Sequence, residues 1–209
     1  MEDVLALYAE AYDAKRPKVN FDETSRHLIA DRHPPLAGKA GQPQREDHEY
    51  ERQGTRNLFI LCEPQAGWRH VTVTERRTKQ DFAHQMQWLV DKGHPQADVI
   101  RVILDNLNTH GPGSLYDAFE PAEARRLVEK LEFHYTPKHG SWLNMAEIEL
   151  SILQRQCLNR RIANEAMLKR EVAAWEQHRN AAQDTIDWRF TITDAREKLK
   201  RLYPTNSLR

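Results

Sequence analysis

Two aspartates, Asp22 and Asp105, each close a short apolar run, and a third acid is offered by Glu147 or Glu149 where a helix begins. The run Val99-Ile100-Arg101-Val102-Ile103-Leu104 reads as a strand buried on both faces. Asp105 follows it, then Asn106, Asn108, Thr109 and His110, and Gly111-Pro112-Gly113 ends regular structure. Alone, such an Asp would simply cap a turn. In Val19-Asn20-Phe21-Asp22, however, Val19 and Phe21 share one face and Asp22 takes the other. If the two strands are neighbours, their acids meet at the sheet edge, where α/β proteins place ligands. Crowded carboxylates repel, so without a cation at least one has a raised pKa. Oxygen donors with open positions suit Mg²⁺ or Mn²⁺. Two such ions about 3.5–4 Å apart activate a water or a 3′-hydroxyl and stabilise the leaving oxygen of a phosphodiester. Glu147 and Glu149 lie about 200° apart on a helix, so only one of them can join the aspartates.

The elements that must position these acids follow from periodicity. Val4, Leu5, Tyr8 and Tyr12 predict a helix over residues 1–14, and residues 16–24 a short strand ending at its acids. Residues 31–56, rich in Pro, Gly and charge, predict a long exposed loop. Strands over 57–62 and 68–74 are joined by the hairpin turn 63–67, and Phe82, Met86, Leu89 and Val90 stripe a helix over 78–92. Helices follow over 114–130, with Pro121 starting the second; then come a strand over 131–136, a loop over 137–141 and a helix over 142–158. Leu168, Val172 and Trp175 mark a helix from 164, and Asp194 and Glu197 resemble a capping box for a last one. A meander followed by strand–helix–strand crossovers predicts a mixed α/β sheet flanked by helices.

Composition narrows the partners. The 209 residues carry no net charge, but residues 1–150 hold 19 Lys+Arg against 24 Asp+Glu, and residues 151–209 hold 12 against 7. An acidic body with a basic tail suits metal in one part and phosphates in the other, while a solvated helical surface explains the same tail, Arg155, Arg160 and Arg161 included. No apolar run approaches a membrane span and no signal peptide opens the chain, so a cytoplasmic protein without membrane contact is expected. Cys62 and Cys157 fit a reducing compartment, neither has the spacing of a zinc site, and Cys157 reads as an inert core residue. Trp142 reads as a core anchor. His110 reads equally as a residue that bonds a backbone carbonyl.

Three segments, Phe21-Asp22-Glu23, Leu104 to His110 and Tyr135 to Glu147, resemble the DDE catalytic domain of mariner-like transposases, and more closely their bacterial insertion-sequence branch. The specific signal is a strand-Asp-Asn-x-x-x-His motif followed by Pro-x-x-x-x-Trp-Leu-Asn-x-x-Glu, and the likeness runs on to the closing Lys198–Pro204 stretch. The resemblance implies a ribonuclease-H-like fold, with a three-strand antiparallel meander and two parallel strands. Residues 1–15 would form a linker helix, 16–163 the catalytic domain and 164–209 a helical extension packed on it. It makes Asp22, Asp105 and Glu147 the catalytic triad that binds two Mg²⁺ or Mn²⁺ ions, Glu147 being preferred for its place after Trp-Leu-Asn. His110, His139 and Asn144 become candidates for supporting the metal-binding acids or for contacting DNA, and Lys138 a candidate DNA contact. The implied activity is nicking at transposon ends and transfer of the 3′-hydroxyl to target DNA, with a homodimer or a full-length transposase as partner. Nothing before residue 15 makes a helix-turn-helix, so an end-recognition domain of its own is not expected. The alternatives are a non-catalytic transposase remnant or regulatory fragment, and a ribonuclease-H-like nuclease acting on RNA–DNA hybrids.

Overall fold

Alternation along the strands sets the layers. In the computed structural model, residues 1–33, 38–42, 48–138 and 140–203 are described. The strands are β1 (Lys18–Asp31), β2 (Tyr50–Glu63), β3 (Trp68–Thr74), β4 (Ile100–Leu104) and β5 (Leu131–Tyr135). They form one sheet in the order β3-β2-β1-β4-β5. The first three make an antiparallel meander, and β4 and β5 extend it in parallel from β1, as the expected mixed sheet requires.

The helices are α1 (Glu2–Ala9), α2 (Lys79–Trp88), α3 (Pro112–Ala118), α4 (Pro121–Lys130), α5 (Ala146–Leu153), α6 (Glu165–Ala182) and α7 (Ile192–Lys198). Phe59 and Leu61 of β2 join Val19 and Phe21 of β1 and Val102 and Leu104 of β4 under α2, α3 and α4. Leu58, Ile60 and Cys62 point the other way, against α5 and α6. A third cluster ties α1 and α7 to Ile103 of β4 and to Leu143. Each fully buried aliphatic or Phe side chain contributes about 1.5–3 kcal/mol, so the sheet is held from both faces. Among the described residues no helix is long and apolar enough to cross a membrane.

Several expectations need correction. β1 does not stop at Asp22; it runs on to Asp31 and pairs with Tyr50–Arg56, much of the stretch read as loop. Those residues are polar and mostly exposed, so backbone pairing rather than burial makes them a strand, with an irregularity between His27 and Ile29. The centre of the stretch, residues 34–37 and 43–47, lies outside the described residues. α1 ends at Ala9 and leaves Tyr12 exposed. The helix expected from Trp142 begins at Ala146, because Ser141–Leu143 forms a separate 3-10 turn. The last helix is capped by a Thr191–Asp194 box, one turn earlier than the spacing suggested.

The β2–β3 turn shows how closely the C-terminal elements pack. Gly67 has φ +65°, and a Cβ there would lie 2.4 Å from the Gln183 carbonyl oxygen at the end of α6. Gly67→Ala is therefore expected to cost about 1–3 kcal/mol through strain and backbone displacement, read as a lowered urea midpoint. An unchanged midpoint would show that the contact yields freely.

Candidate active site

β1 and β4 bring the two aspartates level. Their parallel register pairs Lys18 with Arg101, Val19 with Val102 and Asn20 with Ile103. Continued by two residues, it sets Asp22 beside Asp105, just where β4 ends. Asp22 lies inside β1, on the face opposite Phe21, and its Oδ1 accepts a hydrogen bond from the Glu23 amide (2.8 Å). Burial above all pushes its carboxyl up to about 7, against the lowering by that amide, with smaller contributions upward from the charges of Glu23, Asp105 and Glu147.

The two glutamates of α5 part as helical geometry demands. Glu147 is exposed and its charge reaches Asp22. Glu149 is 1% exposed and faces the interior, where Oε1 pairs with Arg69 Nη2 (3.3 Å) and Arg179 Nη2 (2.9 Å). Among the described residues neither Asp22 nor Glu147 has a Lys, Arg or His ion-pair partner, so their oxygens are open to a cation.

His110, one of the candidates for supporting the acids or contacting DNA, sits beside Asp105. It is 3% exposed, stacks on Phe82 and meets the edge of Phe21. Nδ1 lies 2.5 Å from Asp105 Oδ1, and Nε2 lies 3.2 Å from Glu23 Oε2. Burial alone would lower its pKa, but the hydrogen bonds to Asp105 and Glu23 outweigh it and raise it to about 9. The imidazolium thus clamps Asp105 at the strand end. Both ring nitrogens are engaged inside the protein, which leaves none for DNA or for a backbone carbonyl. The available signal was Glu23, one residue after Asp22 and on the opposite face.

The sequence profile of the DDE superfamily endonucleases matches residues 17–169, a span that contains all three acids. The chain belongs to that family. Two solved structures share its fold. The Mos1 transposase paired-end complex with left transposon end is 15% identical, covers 84% of this chain and 52% of its own, and superposes with a TM-score of 0.55. For the Mos1 strand transfer complex the values are 14%, 87%, 52% and 0.56. The chain therefore spans about half the length of those proteins. No curated protein matches it significantly.

Members of the DDE superfamily generally use divalent ions, and the three acids of this chain have the chemistry to hold them. Asp22, Asp105 and Glu147 supply only carboxylate oxygens, the hard ligands that Mg²⁺ and Mn²⁺ prefer. Among the described residues no three Asp, Glu, His or Cys side chains form a ready-made metal cage.

The expected DNA contacts separate. Lys138 is exposed and lines an open groove of about 490 Å³ with Asp105, Leu107, Thr136 and Ser141. Asn144 is 2% exposed, with its amide donating to the Phe21 carbonyl (2.8 Å). It is therefore placed to hold protein rather than nucleic acid. His139 lies outside the described residues. Trp142 is no core anchor: it is 40% exposed and stacks on Trp188. In the basic tail, Arg160 pairs with Glu171 and Arg161 with Asp31, which leaves less of a phosphate track than its composition suggested. Cys157 is buried and its thiol is pushed up by that burial, consistent with an inert role.

Proposed function

We propose that this chain is the catalytic domain of a metal-dependent transposase, which nicks phosphodiesters at transposon ends and joins the freed 3′-hydroxyl to target DNA. What supports the reading is the register of β1 on β4, which continues to Asp22 beside Asp105, together with the charge of Glu147 felt at Asp22, all within the span that matches the family. Asp22, Asp105 and Glu147 would hold two Mg²⁺ or Mn²⁺ ions. Such ions, when bound, activate the attacking oxygen and stabilise the leaving one. The chain's own residues do the rest: His110 fixes Asp105, and Lys138 meets phosphate in the groove beside it. DNA is the partner, and assembly as a homodimer or with a full-length transposase belongs to the same proposal.

The direct test is nicking of a supercoiled plasmid with Mn²⁺, which needs no end sequence. Nicked circles that disappear with chelator support the proposal; a wild-type chain that leaves the plasmid intact at any Mn²⁺ concentration opposes it. Lys138→Ala is expected to weaken duplex binding evenly across sequences and to lower the slope of log K against log salt by about 1. An unchanged slope would remove Lys138 from the groove's phosphate contacts.

A further inference from the structure

Two side-chain amides and one phenol join the strand that carries Asp22 to the turn that leads into Glu147. Asn20 precedes Asp22 by two residues, on the same face of β1, and is fully buried. Its Oδ1 accepts a hydrogen bond from the Met145 amide (3.1 Å). The Tyr8 hydroxyl, from α1, lies between Asn20 Oδ1 (2.5 Å) and the Leu143 carbonyl (2.8 Å). Asn144 Nδ2 donates to the carbonyl of Phe21, the residue next to Asp22 (2.8 Å). The Asn144 side-chain oxygen accepts from the Ala146 amide, and its backbone carbonyl accepts from the Glu147 amide. Two of these bonds, Asn20–Met145 and Phe21–Asn144, join residues within three positions of Asp22 to residues within three of Glu147, across 125 and 123 positions of sequence.

Burying two amides costs free energy where they are not bonded, as at Asn20 Nδ2, and the bonds that are made include two that bridge the halves of the site. Packing alone would leave α5 free to slide along the sheet, because its apolar contacts with β1 and β2 have no direction. Hydrogen bonds do have direction, and these tie the backbone at the start of α5 to the strand that carries Asp22. Tyr8 makes the arrangement depend on α1, and Trp188 packs against its ring (5.2 Å between centroids).

We propose that Tyr8, Asn20 and Asn144 are positioning residues that set the spacing of Asp22 and Glu147 for divalent-ion binding, so that ion affinity depends on the docking of α1. This rests on the metal-dependent reading above. The test compares the full chain with Tyr8→Phe, which keeps the ring and loses only the hydroxyl, and with Asn144→Ala. Mn²⁺ affinity is read by electron paramagnetic resonance of the free ion with a short DNA duplex present, and amide exchange is followed over residues 145–149. The expected result is a dissociation constant raised about 10-fold or more, faster exchange at Met145 and an almost unchanged unfolding midpoint for Tyr8→Phe. High Mn²⁺ should restore nicking to Tyr8→Phe and not to Asp105→Asn. Wild-type affinity retained in Tyr8→Phe overturns the proposal, whatever happens to Asn144→Ala. A wild-type chain that binds no Mn²⁺ fails the metal reading itself and takes the positioning role with it.

Discussion

Asp105→Asn is expected to reduce plasmid nicking at least about 10³-fold, because an ion held in place supplies several kcal/mol of charge stabilisation and each 1.4 kcal/mol is tenfold in rate. The amide keeps the size of the carboxylate and still offers an oxygen to His110 Nδ1, so the clamp that connects β4 to Glu23 survives in part. The side chain sits at the end of β4 and is about one-third exposed (35%), so no core contact is lost. The unfolding midpoint should therefore move little while activity disappears. Nicking at the wild-type rate would mean that the site has been assigned to the wrong residue. Loss of activity together with loss of fold would mean that Asp105 acts on structure, through His110.

Glu149→Ala should do the reverse. Arg69, fully buried, donates to Glu149, to the Asp184 carbonyl (2.5 Å) and to the Gly67 carbonyl (3.0 Å), and Arg179 Nη1 pairs with Asp184 (2.6 Å). Removing the carboxylate leaves two guanidiniums facing each other with only the half-exposed Asp184, on Arg179, as counter-charge, and breaking a buried pair from one side costs about 3–5 kcal/mol. Against a total stability of about 5–15 kcal/mol, that is a large share. Glu147→Gln, two residues away and exposed, should stay within about 0.5 kcal/mol of wild type and yet abolish nicking. Urea titration of both variants checks the pair. If they unfold alike, the division of labour along α5 is wrong.

The individual strands and the acid after β4 were legible because burial leaves a pattern: apart from Arg101, β4 is apolar and stops before a carboxylate, and β2 is apolar from Leu58 to Cys62, while the pairing of β1 with β4 had no such signature. The outer arm of the β1–β2 hairpin was not legible. Tyr50–Arg56 buries almost nothing, and backbone pairing has no compositional signature. Helical geometry limited the third acid to one of Glu147 and Glu149 without choosing between them; the choice depends on Arg69 and Arg179, which lie 80 and 30 residues from Glu149. His110 and Asn144 were singled out as supports for the acids or as DNA contacts, without a choice between the two. Their partners, Glu23 and Phe21, become visible only when β1 is laid beside the loops that follow β4 and β5. Tyr8 passed as one more apolar position of a helix, since nothing in its neighbourhood marks a hydroxyl that reaches across to Asn20.

The measurement that bears most directly on the central claim is Mn²⁺ binding by calorimetry, for the wild-type chain and for Asp22→Asn, Asp105→Asn and Glu147→Gln, each with a short duplex present to complete the ion's shell. It requires no knowledge of a transposon end. Binding by the wild type that each of the three substitutions weakens is the predicted result. Binding that none of them changes, or no binding by the wild type, would contradict the assignment of these acids as a metal site.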